Sequence, residues 1–314
     1  MTLLWKPLLS ATVPMDPATG DFDWACVPLP VYVSLKYDGY RAMVQGGVLI
    51  SRNGLPVRNK DLQARYGRPE YEGLDGELVD GPPSAPGAFG RTSSVVKKAD
   101  ADASKTKFYV IDACIPDGPP MSERIFALRE ADHGWADEFG KPTAVLIKQT
   151  IIRALPQLQS YEAKAVASGW EGVMLRRADQ GPYPQKPGKS NRSTLNEFFL
   201  ARLKRFEHGE AEILATHPLR HNVNTERTAR GARSTKKSGI VTDARLVGSA
   251  TLKDKTTGVE FDTNVNGDAL RAWAGWQNPT QWRGKVVRYK WQVCGTKDRP
   301  RINTCSFQEL EVEK

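Results

Sequence analysis

The sequence predicts two domains, an α+β domain followed by a small all-β domain. Three observations carry this. The chain has 314 residues, more than one average domain holds. Through about residue 206, runs with strand alternation and runs with helical spacing are mixed without a regular strand–helix–strand repeat, which favours α+β over a doubly wound sheet. Beyond that point only short strand-like runs separated by turn signals remain. The division is placed between 207 and 208, giving domains of 1–207 and 208–314.

Residues 31–35 alternate toward a strand that ends at Lys36. "YRAMVQGGVLISRNG" is patterned as a hairpin, with Gly46-Gly47 at the turn and a second break at Asn53-Gly54. "YEGLDGELVDG" is a short strand between glycines, "GPPSAPGAFG" a Pro/Gly loop and "KFYVIDACI" a strongly apolar strand. "MSERIFALREADHGWADEF" has helical spacing at Ile125 and Leu128, with Ser122 as the expected N-cap. "PTAVLIKQTII" reads as one strand, "LPQLQSYEAKAVASG" as a helix ending at Gly169, and "WEGVMLRR" as a strand. The loop "DQGPYPQKPGKSNRS" and the segment "FFLARLKRF" complete the first domain. In the second, "EAEILATH", "ARLVGSATLK", "GVEFDTNV" and "GKVVRYKWQV" are short strands. Along the last of them Val287, Tyr289, Trp291 and Val293 alternate with Arg288, Lys290 and Gln292. Four or five such strands suit a small closed barrel such as an OB-fold.

Composition narrows the function classes. Hydrophobic residues make up 39% and mean hydropathy is −0.49, the balance of a soluble globular chain. No apolar run approaches the ~18 residues of a membrane span, so no membrane association is expected. The beginning, "MTLLWKPLLSATVPMD", lacks the cationic start and unbroken apolar run of a signal peptide. Cys26, Cys114, Cys294 and Cys305 never form C-x-x-C, which disfavours a zinc ribbon or dithiol motif and fits free thiols in a reducing cytoplasm. His217 and His221 have i, i+4 spacing, but Pro218 between them argues against a helical metal pair. The net charge is +9; from His208 onward 18 Lys/Arg against 12 Asp/Glu supply +6 of it, which points to a polyanionic partner held partly by the last third.

The chemistry centres on "KYDGYR", where Lys36 follows an apolar strand and precedes Asp-Gly and Arg41. Alone, the hexapeptide also fits a surface turn. Four further blocks decide between the readings: "SRNG" at 51–54, "LDGEL" at 74–78, "WEGVMLR" at 170–176 and "ARLKRF" at 201–206. Each sets a charged residue in or beside an apolar strand, where a solvated charge is unexpected. Cations and carboxylates inserted this way have a common explanation in a pocket for a polyphosphate and its metal.

In order and spacing these blocks resemble the nucleotidyltransferase motifs of ATP-dependent DNA ligases, of the minimal phage type, within the covalent nucleotidyltransferase superfamily. "WKPLLS" near the start resembles the opening of such enzymes, and "KDRPRINTCSF" their terminal Arg-rich strand. The resemblance implies an ATP-grasp-like adenylation domain followed by an OB-fold domain. It implies that Lys36 attacks the α-phosphorus of ATP and carries AMP, which passes to the 5′-phosphate of nicked double-stranded DNA before the 3′-hydroxyl displaces it. An ordinary lysine has a pKa of about 10.4, so only about one in a thousand is unprotonated at neutral pH; a cationic surrounding and a metal are the expected remedy. Arg41 and Arg52 are implied to hold ribose and phosphate oxygens. Glu77 is implied to accept from a ribose hydroxyl and, with Glu171, to place Mg²⁺, with Mn²⁺ as a substitute. Lys204, with Arg202 where the family has a first lysine, is implied to neutralise the α-phosphate.

Two positions depart from the family pattern. Ser34 stands where a base-reading glutamate is usual, which leaves the adenine contact to the Leu35 backbone or another group. Ile111 stands where an aromatic usually stacks on the base, with Phe108 and Tyr109 upstream, and the resemblance implies an aliphatic sandwich of adenine by Ile111 or a shift of register. RNA ligases and capping guanylyltransferases are the alternatives within the superfamily, and a non-catalytic nucleic-acid-binding protein is the alternative outside it. "EGVMLR" and the carboxyl end favour DNA ligation, and survival of Lys36, Glu77, Glu171 and Lys204 argues against a decayed enzyme. The resemblance implies a monomer in the cytoplasm of a bacterial cell or phage-infected host.

The segment "NTERTARGARSTKKSG" (224–239) holds five basic residues and one acidic, with no apolar periodicity. It is expected to be a mobile loop that orders on DNA phosphates through Arg227, Arg230, Arg233, Lys236 and Lys237. Neutralising these five should flatten the salt dependence of nick affinity by up to about five phosphate contacts. An unchanged slope in a salt series removes the loop from the interface.

Overall fold

The computed structural model describes residues 5–16, 19–85, 87–115, 117–131, 135, 144–186, 191–205, 207–226, 233–264, 282–292 and 301–304. The chain separates into two compact units, Met1–Arg205 and Phe206–Lys314. The first runs β1 (Ala11–Thr12), β2 (Val31–Leu35), β3 (Tyr40–Gln45), β4 (Val48–Ser51), α1 (Lys60–Tyr66), β5 (Leu74–Asp80), α2 (Ala88–Lys97) and β6 (Thr106–Ala113). It continues through α3 (Met121–Ala131), β7 (Ala144–Leu146), β8 (Thr150–Ile152), α4 (Leu155–Ala167), β9 (Gly172–Arg177) and β10 (Ala201–Lys204).

Two five-stranded sheets result, β4-β3-β5-β6-β7 and β1-β10-β9-β2-β8. Strand alternation gives each one apolar and one polar face. In the first sheet Ala42, Val44, Leu78, Phe108 and Val110 pack with Leu62 and Tyr66 of α1, Val96 of α2 and Ile125 and Leu128 of α3. In the second, Val31, Val33, Val173, Leu175 and Leu203 pack with Leu158 and Ala165 of α4. Each buried Val or Leu contributes about 1.5–3 kcal/mol, so a one-residue slip of β9, trading Val173 and Leu175 for Met174 and Arg176, is not competitive. The faces left over carry Arg41, Met43, Asp75, Glu77 and Tyr109 on one sheet and Ser34, Met174 and Arg202 on the other. They meet at a seam where Met43 and Met174 share a cluster with Leu8, Cys114, Tyr183 and Leu200.

Several elements differ from the sequence reading. "PTAVLIKQTII" is two strands in different sheets: β7 runs parallel to β6, while β8 pairs antiparallel with β2. The chain crosses between them at Ile147–Gln149, where Ile147 N–H donates to Val110 O and Gln149 Nε2 to Ile111 O. Helix α2 starts inside the expected Pro/Gly loop, behind Gly87 at φ 73°. Helix α1, capped by Asn59 Oδ1 on Leu62 N–H, is short and carried no periodic signal. Ser122 lies inside α3 instead of capping it, because the helix begins at Met121 after Pro120. The Gly46-Gly47 hairpin forms as expected, with both residues at positive φ.

A buried charge cluster spans the two sheets. β6 carries a bulge opposite Asp75/Gly76, which turns Asp112 to the side facing the other sheet, although Phe108 and Val110 face the core. Asp112 accepts Nε and Nη2 of Arg124 at 2.9 and 3.1 Å and also Nη1 of Arg176 from β9. All three side chains are essentially inaccessible. Burial pushes the Asp112 carboxyl up, and the two guanidiniums outweigh it and hold the group below its ordinary range.

The second unit runs β11 (Glu207–Asn222), β12 (Ile240–Asp254), β13 (Glu260–Asn264), β14 (Val286–Gln292) and β15 (Arg301–Thr304), all antiparallel, in the order β13-β12-β11-β14-β15. Ala211, Ile213, Val247, Ala250, Leu252, Trp282, Val287 and Tyr289 form its core. Strands β11 and β12 are longer than the sequence reading because bulges at Ile213/Ala215 and around Pro218 let pairing continue to Asn222–Ile240. Edge strands β13 and β15 approach each other, but among the described residues no strand pairing joins them; the expected closed barrel is a five-stranded sheet here. The basic segment 224–239 falls between β11 and β12 in the chain. Arg227 and Arg230 lie outside the described residues; Arg233 donates to Asn222 O at 2.8 Å, Lys236 pairs with Glu226 at 2.6 Å, and Lys237 opens a short 3-10 turn.

Asp112→Asn leaves two buried guanidiniums without a full counter-charge, and urea unfolding at neutral pH should show a loss of about 3–5 kcal/mol. A loss below about 1 kcal/mol would mean that the arginines relax to solvent.

Candidate active site

Lys36 follows the last residue of β2, and its N–H donates to Gly172 O at 2.9 Å. Glu171 immediately precedes β9, and Lys204 ends β10 opposite Gly172. Three adjacent strand ends therefore deliver one carboxylate between two ammoniums: Glu171 Oε2 accepts from Lys36 and Oε1 from Lys204. Side-chain exposures of 15, 13 and 11% for Lys36, Glu171 and Lys204 leave the group reachable but weakly screened. Gly172 makes the approach possible. Its φ is +147°, and a Cβ there would stand 2.1 Å from Leu203 O. Burial pushes Glu171 up, yet Lys36 and Lys204 win and hold it at about 2. Asp38 is raised by burial and by Glu171, against the pull of the same lysines.

Arg41 of β3 stands opposite Glu77 of β5, and Glu77 opposite Tyr109 of β6. Asp75 takes Arg41 Nε and Nη2 at 2.8 and 2.7 Å, while Arg41 Nη1 lies 3.7 Å from Glu77 Oε1. Burial lowers the Arg41 guanidinium's hold on its proton, but Asp75 and Glu77 reverse this and raise it further. Glu77 goes the other way. Burial lifts it to about 7, against Arg41 and Lys36 and with the repulsion of Asp75 and Asp38. Its Oε2 is buried without a hydrogen-bond partner. Tyr37 packs between Tyr109 and Trp170, with ring centroids 4.8 and 5.0 Å apart, and burial pushes its phenol up to about 12.

Of the predicted residues, Lys36 and Lys204 each pair with Glu171, and Arg41 and Glu77 form a second group. Ser34 is 6% exposed and shares a row with Met174 and Arg202. Arg202 donates from Nε to Thr12 Oγ1 at 2.9 Å; burial and Arg192 lower its hold on the proton against Glu171. Leu35 packs on the β2–β9–β10 core, and Ile111 is buried at the β6 bulge. Arg52 is exposed in the turn after β4, which Ser51 N–H closes onto Leu55 O at 2.8 Å, and has no ion pair among the described residues. Sequence reasoning missed Asp75, Tyr109, Trp170 and Tyr183. Asp75 was legible, being two residues before Glu77 on one strand face; Tyr183 comes from a loop and carries no pattern.

The donor set is one of hard oxygens, and the orphaned Glu77 Oε2 fits a cation or a hydroxyl donor. No group of three metal-ligating side chains occurs among the described residues, and both Glu171 oxygens are taken by lysines, which leaves Glu77 Oε2 as the open carboxylate oxygen of the pair. A groove of about 550 Å³ lies in the second unit, lined by His217, Arg220, Ser249, Asp262 and Asn264. It lacks the paired cations and carboxylates of the β2–β9–β10 strand ends.

No family model and no curated protein sequence matches the chain. Solved structures do. Chlorella virus DNA ligase-adenylate is 24% identical, with a TM-score of 0.50, over 98% of this chain and 99% of that one. A structure from work on Lig E DNA ligases, described there as a minimal scaffold for DNA binding, is 21% identical with a TM-score of 0.64, over 96% and 98%. The chain shares the fold of these DNA ligases along nearly its whole length.

Glu77 gives a pH test. Between pH 4.5 and about 7 the unfolded chain has released this proton while the folded protein keeps it, so stability falls as pH rises through that window. Glu77→Gln escapes the loss. In buffer free of metal and nucleotide its stability relative to wild type should rise between pH 5 and 8 by at most about 3 kcal/mol. A gap constant with pH would show Glu77 ionised throughout.

Proposed function

We propose that the protein is an ATP-dependent DNA ligase that seals nicks in duplex DNA, as replication and repair require. The observation that carries the reading is Lys36, an amine in a cleft, paired with Glu171 and flanked by Lys204 across from Arg41 and Glu77. The motifs and the shared fold support it. In the first step the Lys36 Nζ lone pair forms a bond to the α-phosphorus of ATP, and the bond to pyrophosphate breaks. AMP then moves from Nζ to the 5′-phosphate of the nick, and the 3′-hydroxyl displaces AMP to close the strand.

Lys204 and Arg202 lie on the same strand face as Lys36 and supply positive charge for the phosphates. Arg41 Nη1 and Glu77 offer a donor and an acceptor for ribose. Mg²⁺, when bound by Glu77 and Glu171, supplies charge neutralisation for the triphosphate. In this reading the second unit is an OB-fold whose segment between β11 and β12 meets DNA phosphates, and the enzyme acts as a cytoplasmic monomer. Cys26 and Cys114 being free thiols accords with that compartment.

The test supplies ATP or GTP labelled at the α-phosphate and denatures the protein afterwards. Label should be retained from ATP and be absent in Lys36→Ala; the protein should then close nicked DNA in preference to nicked RNA. Retention from GTP alone points to capping chemistry, and retention from neither removes the covalent mechanism.

A further inference from the structure

A closed ring of hydrogen bonds lies behind Arg41. The Tyr183 hydroxyl donates to Asp75 Oδ2 at 2.5 Å and accepts the Leu8 N–H at 2.7 Å. Asp75 takes Arg41 Nε and Nη2, and the same Nη2 donates to Leu8 O at 3.4 Å. The four members come from the segment before β1, from β3, from β5 and from the loop between β9 and β10. Leu8 and Asp75 are inaccessible, and Tyr183 is 5% exposed.

A guanidinium is a rigid fork, so fixing two of its nitrogens fixes the third. Here Nε and Nη2 are held by Asp75, and Nη1 is left beside Glu77, whose Oε2 has no partner. The fork is only as rigid as the carboxylate that grips it, and an aspartate can still turn about its terminal torsion. Tyr183 removes that freedom. Its own ring is fixed in turn: Arg124, tied to Asp112, lies 5.8 Å over it and donates to Gly181 O at 3.0 Å.

We propose that Tyr183 is a positioning residue for nucleotide capture, locking Asp75 so that Arg41 Nη1 and Glu77 present a fixed donor and acceptor to the nucleotide. The inference rests on the adenylylation reading and adds to it. Through the Leu8 backbone, the segment ahead of β1 becomes part of the site without contributing a charged side chain.

Tyr183→Phe keeps the ring and deletes only the hydroxyl. ATP binding is measured by calorimetry on Lys36→Ala, which cannot consume the nucleotide, and on Lys36→Ala/Tyr183→Phe. The hydroxyl's loss should weaken binding about tenfold, the size of a lost hydrogen bond to a charged group. With Lys36 intact, Tyr183→Phe should raise the ATP concentration for half-maximal labelling about as much and change the saturated rate by less than about twofold. Combined with Arg41→Lys, it should cost nothing beyond Arg41→Lys alone, because both act through one guanidinium. Leu62→Ala, a cavity on α1 away from the ring, lowers stability and should leave ATP affinity at the parental value. Parental affinity in Tyr183→Phe, or losses that multiply with Arg41→Lys, would overturn the proposal. A Lys36→Ala parent that binds no ATP, with a wild type that takes no label, overturns the adenylylation reading instead.

Discussion

One carboxylate between two ammoniums sets the terms for the first unit. Lys36 and Lys204 belong to strands on either side of β9, and strand spacing forces their like charges together. Without Glu171 those charges would meet in a partly buried place where water screens them poorly. The carboxylate is in turn fixed by backbone: it sits one residue ahead of Gly172, the residue that accepts the Lys36 amide and stands opposite Lys204. A side chain at 172 would drive β9 from β10, and a slip of register would turn Lys204 onto the apolar side. The charge pattern is thus a consequence of sheet register, and the register is held by the Val and Leu rows on the other face.

The same logic explains the division of the molecule's polar groups. Each sheet packs its larger apolar core under helices, so the inward faces, beyond the small cluster around Met43 and Leu8, carry charge. Most of that charge is neutralised within the protein, by Asp112 with Arg124 and Arg176 and by Asp75 with Arg41. What remains unmatched is informative, since a buried polar atom without a partner costs about 1–3 kcal/mol. Among the inward-facing groups Glu77 Oε2 and Arg176 Nη2 are such atoms. Glu77 is the one beside Lys36 and Arg41, where a ligand can complete it.

The strands and the charges they bear were legible because alternation is a local signal. Val33, Leu35 and Lys36, or Glu77 within "LDGEL", announce their face from two or three neighbours. The events that cross between sheets were not legible. "PTAVLIKQTII" has one unbroken apolar pattern, and only the partners β6 and β2 divide it into β7 and β8. The bulge that redirects Asp112 leaves no trace in "FYVIDAC", and for that reason Ile111 could not be assigned a face from sequence. Tyr183 owes its place to a Pro/Gly-rich loop whose path is set by tertiary contacts.

The two glutamates of the cleft are chemically alike in sequence and differ in the structure. Glu171, touched by two lysines, is held at about 2 and stays an anion at neutral pH. It organises cations and cannot receive the proton that must leave Lys36 before the amine attacks phosphorus. Burial lifts Glu77 to about 7, and its free oxygen faces no protein donor. A carboxyl in that state can accept from a hydroxyl or donate to one, which suits a ribose better than a fixed anion would. On the adenylylation reading, the permanent charge belongs at the reacting phosphorus and the adjustable one at the sugar. The environments of Glu171 and Glu77 are pushed apart in that direction.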